Sequence, residues 1–361
     1  MKRWLILLIP VVLALAGCGA GTSEQMPAAL SEPTSESPRE LRVMAYSSFD
    51  ISEAVIEAFE SEHGAKLLFL DAGDTGQMVS QAILSKDNPQ ADVLYGVDNT
   101  FLSRALAGDI FEVYAAENLA SVPDAYQLDP EHRVTPVDYG DVCLNYNRAY
   151  FADSGLAVPE TLEDLTQPEY QGLLVVENPA SSSPGLAFLL ATIGSFGEDG
   201  YLGYWRALRA NDVLVVDSWD TAYYGEFTPG NRPIVVSYAT SPAAEVYYSE
   251  TPPPPGLAAE PPTGAVVAPG TCFRQIEFVG ILRNGRNRDL AEAFVDYVLS
   301  EPFQSDIPLH MWVFPANEDT VLPDVFEQYA VTADAPATVS ADAIEQNREV
   351  WITDWTDVVL R

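Results

Sequence analysis

The stretch Ile234-Val-Val-Ser-Tyr-Ala-Thr-Ser-Pro-Ala-Ala-Glu-Val-Tyr-Tyr248 decides how this chain is read. Its first three residues are an apolar run typical of a buried strand. Pro242 then starts a helical segment, because the first helical turn has no use for the N–H that proline lacks. Ser241, just before it, is a natural N-cap. A strand therefore delivers Tyr238, Thr240 and Ser241 to the mouth of a helix. Unpaired N–H groups and the positive end of the helix dipole suit a polar or anionic ligand group at such a place. Alone, the stretch is better read as an ordinary capped turn in an α/β protein. What favours a site is that similar turns recur.

Towards the N-terminus, residues 41–46, 66–70 and 92–95 read as strands. Helical patterns follow at 51–63, which Gly64 closes, at 77–84, and after Asn99 or Thr100 up to Gly108. Alternating strands and helices predict a mostly parallel sheet. In such sheets ligands sit beyond the carboxyl ends of the strands. Tyr46, Ser47, Asp74, Thr75 and Asp98 fall there. Residues 135–140, leading into an apolar run at 142–146, read as the crossing to a second lobe. In that lobe a strand at 173–176 precedes Ser181-Ser-Ser-Pro184, again hydroxyls ahead of a helix-starting proline. A strand at 213–216 precedes Ser218-Trp219, and helices are expected at 184–193 and 201–210. Strands at 264–268 and 276–282 follow a proline-rich loop, the second returning to the first lobe. Helices are predicted at 288–299, 302–307 and 340–360, with Trp312 in a loop. The chain is long enough for two cores. Lobe one is placed at 41–137 and 276–330, lobe two at 138–275, and a C-terminal helix within 331–361 packs on the lobes.

Residues 1–17 carry Lys2 and Arg3 ahead of an apolar run and no acid, as a secretory signal does. The run ends in Leu15-Ala16-Gly17-Cys18, which resembles the bacterial lipobox. That resemblance implies cleavage before Cys18 and its acylation, so the mature protein is anchored by lipid and does not span the membrane. Residues 18–40 have little to bury and read as a flexible tether. Fifty-three acidic against eighteen basic residues give a formal charge of −35. Nucleic acid, which needs a basic surface, is excluded as a partner; an acidic face attracts cations. Cys143 and Cys272 are expected to pair, since export permits a disulfide; the alternative is two buried thiols. His63, His132 and His310 are scattered and give a metal site no support.

The turns of the two lobes present Tyr46, Tyr139, Trp219, Tyr223, Tyr238 and Trp312. Among them lie Asp50, Asp74, Asp98 and Asp138, with Ser182, Ser183, Thr240 and Ser241. Each residue singly is core filler or a cap. A ligand that uses all three classes is flat, cationic and polar at one end. Rings attract a cation by roughly 0.5 to 2 kcal/mol per contact, a carboxylate offsets its charge, and hydroxyls at helix starts hold an alcohol or phosphate.

These pieces, with Tyr46-Ser-Ser-Phe49, Ala91-Asp-Val-Leu-Tyr-Gly-Val-Asp-Asn99, Pro136-Val-Asp-Tyr-Gly140, Ser183-Pro-Gly-Leu186, Ser237-Tyr-Ala-Thr-Ser-Pro242 and Trp312-Val-Phe-Pro315, make residues 41–361 resemble the periplasmic thiamine-binding proteins of ABC importers. The resemblance implies a class II periplasmic-binding-protein fold, two α/β lobes with a hinge and a ligand cleft between them. It places Asp74, Thr75, Ser182, Ser183, Trp219 and the run Tyr238, Ala239, Thr240, Ser241 at ligand-contacting positions, and Tyr46 and Trp312 at aromatic walls. Three places depart from the family's pattern: Thr75 stands where it has glycine, Asp50-Ile-Ser-Glu lacks its tryptophan, and the turn before Ser183 differs in residue types. The function implied is capture of thiamine or its phosphate esters by a monomer that serves an ABC importer permease. No catalytic residue, cofactor or metal is expected. The alternatives are a binder of iron(III) or polyamine, for which Tyr223-Tyr224 and Tyr247-Tyr248 speak, and a thiamine-cleaving enzyme with Cys143 as nucleophile.

Overall fold

Where apolar and polar residues alternate after Pro38, the chain enters β1 (Arg39–Ala45), burying Leu41, Val43, Met44 and Ala45. The computed structural model describes residues 38–249 and 260–361. The expected signal, Cys18, most of the tether and most of the proline-rich segment lie outside the described residues. After β1 come α1 (Glu53–His63), β2 (Ala65–Asp71), α2 (Thr75–Leu84), β3 (Val93–Asp98) and α3 (Leu102–Ala107), with β1 parallel to both β2 and β3. Helix α1 begins two residues later than its apolar pattern suggests. Ser52 takes the cap position there, its side chain accepting from the N–H of Val55. Gly64 ends α1 with a φ of 58°, a left-handed conformation that costs glycine nothing.

One strand of 13 residues, β4 (Thr135–Asn147), then crosses the sheet. Beyond it lie α4 (Arg148–Ser154), β5 (Leu174–Glu177), α5 (Ser183–Ala210), β6 (Leu214–Val216), a π-helical turn (Thr221–Phe227), β7 (Ile234–Tyr238), α6 (Ser241–Tyr247) and β8 (Thr263–Val266). In this second half β5 is parallel to β6 and β7. Gly197, at φ 71° and ψ 169°, breaks α5 into the two helical segments that the sequence predicts. Strand β9 (Phe273–Ile281) returns, antiparallel to both β4 and β3. The chain ends with α7 (Arg288–Val298), α8 (Glu301–His310), the short β10 (Phe314–Pro315), α9 (Asp324–Tyr329) and α10 (Ala341–Val359).

The strand order is β2-β1-β3-β9-β4-β7-β5-β6, with β8 and β10 on β4. The sheet is thus parallel only within each half, and the expectation of a mostly parallel sheet is corrected at its centre. The reason is the path of the chain: β4 passes from the first half to the second and β9 comes back, so the two run in opposite senses.

A core under α1, α7 and α8 holds Val55, Phe59, Phe294 and Phe303. A larger core runs under both halves, from Met78, Leu94 and Phe101 to Leu186, Phe188, Trp205 and Trp355. Helix α10 packs on α5 and on α3. Trp355 meets Trp205 edge-on at 5.4 Å, and the guanidinium of Arg348 lies 4.4 Å from the ring centre of Phe101. Cys143 of β4 and Cys272, just ahead of β9, are joined by a disulfide with Cα atoms 4.3 Å apart. Among the described residues no helix is long and apolar enough to cross a membrane.

Candidate ligand-binding cleft

The carboxyl ends of β1 and β2 face the starts of α5, the π-helical turn and α6 across a cleft of about 500 Å³. Its floor is a network that β9 supplies. The hydroxyl of Tyr46 donates to Glu277 at 3.0 Å, and the amide of Gln275 donates to Glu277 at 2.8 Å and to the Tyr238 hydroxyl at 3.1 Å. Burial, then the carboxylates of Asp138 and Asp98, push Glu277 well above the usual carboxylate range. Burial likewise holds the phenols of Tyr46 and Tyr238 un-ionised.

The wall of the second half is aromatic. Trp219 stacks on Tyr223, centres 5.1 Å apart and planes within 23°. The indole N–H of Trp219 donates to the Ser237 hydroxyl at 3.0 Å, which lies 3.1 Å from the hydroxyl of Ser241. Tyr223 donates to Glu245 at 2.6 Å. At the mouth, Trp312 adopts a φ of 57°, unusual for a bulky residue. The Trp312 carbonyl accepts from the Thr240 hydroxyl, its N–H reaches the Ile307 carbonyl at 3.2 Å, and its ring contacts Tyr247 and Tyr248.

The two halves touch at the starts of α2 and α5. The N–H of Gly76 donates to the Ser181 carbonyl at 2.9 Å, and a Cβ on Gly76 would stand 2.7 Å from the Ala180 carbonyl oxygen. Asp74 accepts from the backbone N–H of Trp219 at 3.3 Å. Burial raises the Asp74 carboxyl to about 6, against the Ser182 hydroxyl and the Trp219 N–H, which favour its charged form; Asp220 and Asp98 raise it further. Asp98, fully buried, accepts from the Ser183 hydroxyl and from the N–H of Thr100. Burial raises it too, while Arg348 opposes that rise.

The charge of the wall is one-sided. Asp50, Asp74, Asp220, Glu245 and Glu277 line the cleft, and among the described residues no Lys or Arg does. His310 also lines it. Its Nδ1 lies 2.9 Å from Asp50 and its Nε2 3.6 Å from Asp306. Such a cleft can hold a flat cation between rings. Among the described residues no group of three or more His, Cys, Asp or Glu side chains could hold a metal ion.

A family model described as bacterial extracellular solute-binding protein matches residues 88–347. The chain belongs to this family. A thiamine-binding periplasmic protein of Salmonella typhimurium is 28% identical over 329 residues, 89% of this chain and 94% of the relative. A solved periplasmic thiamin binding protein superposes with a TM-score of 0.79 at 24% identity, covering 90% of this chain and 97% of that one. A ferric binding protein from Campylobacter jejuni shares the fold with a TM-score of 0.71 at 15% identity, over 88% of this chain and 99% of its own. The fold is thus that of the class II periplasmic binding proteins.

In this solute-binding protein Tyr46, Asp74, Thr75, Ser183, Trp219, Tyr223, Tyr238, Ser241 and Trp312 all line the cleft. Other residues expected at the site lie behind its surface. Asp98 is beneath Ser183. Ser182 is fully buried next to Asp74, with no hydrogen bond of good geometry for its hydroxyl. Ala239 turns its small side chain into the cluster around the disulfide. Thr240 is buried under Trp312. Tyr139 alternates with Asp138 along β4 and so points away from it; it stacks on Phe314 at 5.3 Å, with the Arg274 guanidinium 5.5 Å from its ring centre. Asp138 is buried and accepts from Tyr95 at 3.1 Å. Thr240, not Ser241, occupies the cap position of α6, and it makes no side-chain capping bond. The Ser241 hydroxyl is engaged sideways by Ser237 instead, which corrects its expected role as N-cap.

Sequence reasoning missed Glu277, Asp220, Glu245 and Met311, and had Tyr248 only for the iron alternative. A signal existed for the first: a carboxylate within the apolar run Ile276-Glu-Phe-Val-Gly-Ile281 has to be paired or functional.

Proposed function

We propose that the protein captures thiamine and delivers it to an ABC importer, tethered through acylated Cys18 at the outer face of the cytoplasmic membrane. The observation that carries this is the make-up of the cleft: Trp219, Tyr223, Tyr238 and Trp312 supply ring faces, Asp50, Asp74, Asp220 and Glu245 supply negative charge, and among the described residues no Lys or Arg on its wall opposes a cation. Thiamine is a flat cation that ends in an alcohol. Its thiazolium gains roughly 0.5 to 2 kcal/mol from each ring it faces, and Asp74 offsets its charge. Relatives named for thiamine binding support the same ligand. Lobe one at 41–137 and 276–330 and lobe two at 138–275 close over it, with Asp74 and the Trp219 N–H meeting across the gap. The reading is of binding without chemistry. Cys143, the nucleophile that a thiamine-cleaving enzyme would need, is fully buried and bonded to Cys272.

A second reading, ferric ion, is supported by Tyr224 and Tyr248 on the cleft wall and by the ferric-binding structural neighbour. Against it, iron capture needs tyrosinate, and burial together with Glu245 pushes Tyr223 well above its usual range.

Calorimetry decides between the two. Thiamine is expected to bind, to quench tryptophan fluorescence and to raise the melting temperature, and Trp219→Ala to weaken binding by more than about tenfold. Unchanged affinity in that variant removes Trp219 from the site. A tyrosinate-to-iron absorption band on adding ferric citrate, with no heat from thiamine, transfers the assignment to iron.

A further inference from the structure

We propose that Met311 is a site of reversible oxidation, its sulfur taking an oxygen atom from a peroxide, and that the resulting sulfoxide weakens ligand capture by disturbing Tyr46 and the turn after β1. The effect on capture rests on the thiamine reading. A thioether is oxidised where its sulfur can be reached, and the product puts a polar group in place of an apolar one. Three methionines lie among the described residues. Met44 and Met78 are core residues, 1% and 0% exposed. Met311 is partly exposed and lines the cleft. Cys143 and Cys272 are bonded to each other and offer no thiol to compete for the oxidant.

The contacts of this sulfur give the modification its effect. Met311 directly follows α8 and precedes Trp312. The backbone N–H of Asp50, in the turn after β1, donates to the Met311 Sδ at 3.3 Å, and the Tyr46 hydroxyl lies 3.9 Å from the same atom. That hydroxyl has a single proton and donates it over the shorter distance, 3.0 Å, to Glu277. Sulfur is a weak acceptor, so the floor of the cleft keeps Tyr46. In the oxidation the sulfur lone pair attacks a peroxide oxygen. An S–O bond forms as the O–O bond breaks, the sulfur gives up an electron pair, and hydrogen peroxide is reduced to water. The sulfoxide oxygen is a much stronger acceptor than the thioether. It competes with Glu277 for the Tyr46 proton, and it needs room between the end of α8 and the Asp50 N–H. Tyr46 is a ring of the cleft, so drawing it aside weakens the hold on a cation.

The test is to treat the mature chain with hydrogen peroxide, locate the added oxygen by peptide mapping, and titrate thiamine calorimetrically before and after. Met311 should be oxidised well ahead of Met44 and Met78. Thiamine binding should weaken by about tenfold, and methionine sulfoxide reductases acting on both epimers should restore mass and affinity together. Met311→Leu, whatever its starting affinity, should keep that affinity through the treatment. Met26, outside the described residues, is controlled by Met26→Leu, which should still lose affinity; this variant carries the test if circular dichroism shows Met311→Leu unfolded. Oxidation of Met44 or Met78 first overturns the proposal, as does an oxidised Met311 with unchanged affinity. An equal loss in folded Met311→Leu, or none in Met26→Leu, overturns it too. Absence of thiamine binding before any peroxide is added overturns the thiamine reading instead, and the effect on capture falls with it.

Discussion

Two helix starts carry nearly the same residues and do different work. Ser182-Ser-Pro184 opens α5, and Thr240-Ser-Pro242 opens α6. At α5 the serine reaches across the molecule: Ser183 binds Asp98 of β3, 85 residues away. At α6 the serine stays local, with Ser241 beside Ser237 of the strand that leads into the helix. A hydroxyl followed by proline fixes where a helix begins. What fills the helix start is decided by whichever strand end the fold brings opposite. Opposite α5 that is β3, with a buried carboxylate; opposite α6 it is the loop that carries Trp312.

The contrast can be broken most severely at Asp98. Asp98→Ala leaves the Ser183 hydroxyl and the Thr100 N–H without their acceptor in a fully buried place, and leaves Arg348 with Glu349 as its ion-pair partner. The expected loss is about 3 kcal/mol of stability, read as a lower denaturation midpoint with an unchanged slope. Ser183→Ala removes only the donor and should cost about 1 to 2 kcal/mol. Ser241→Ala should cost about 0.5 kcal/mol, because Ser237 keeps the Trp219 indole as a partner. Equal losses at the two serines would show that the long-range contact has no special weight.

The smallest effect is on the pH dependence of the empty protein. The folded-state carboxyl of Asp74 titrates at about 6 against an ordinary 3.8, so the folded chain holds this proton more tightly than the unfolded one. The contribution of this group to stability is therefore fully present below about pH 4 and lost as pH rises through about 6. The groups acting on it are Asp220 and Asp98, which raise the value, and the Ser182 hydroxyl and Trp219 N–H, which lower it. Comparing melting temperatures of the wild type and Asp74→Asn between pH 4 and 7 isolates it: the difference should shift in favour of the variant as pH rises.

Much of the fold was legible because strands and helices announce themselves locally. The apolar run at 234–236, the Gly64 stop and the proline-started helices stand in the structure within a few residues of their expected places. The antiparallel centre of the sheet was not legible, since nothing within β4 or β9 states which neighbour it will meet. The cleft shows the same division. Tyr46, Asp74, Trp219 and Trp312 follow or precede regular elements at positions that the sequence marks, and they line it. Tyr139 and Ala239 have suitable neighbours in sequence, but their side chains point to the other side of a strand or into the disulfide cluster. Glu277 was missed because it sits in mid-strand and reaches the cleft only through the pairing of β9 with β3 and β4.

The central claim is that carboxylates and rings from two halves hold a cation, and the most direct measurement is thiamine affinity as a function of pH. Asp74 has to be ionised to do this, and it protonates below about pH 6. Calorimetry should show tight binding at pH 7.5, weakened about tenfold at pH 5 as the ionised fraction falls, while the thiazolium keeps its charge throughout. Binding that is equally tight at both values, or no binding at pH 7.5, would contradict the account.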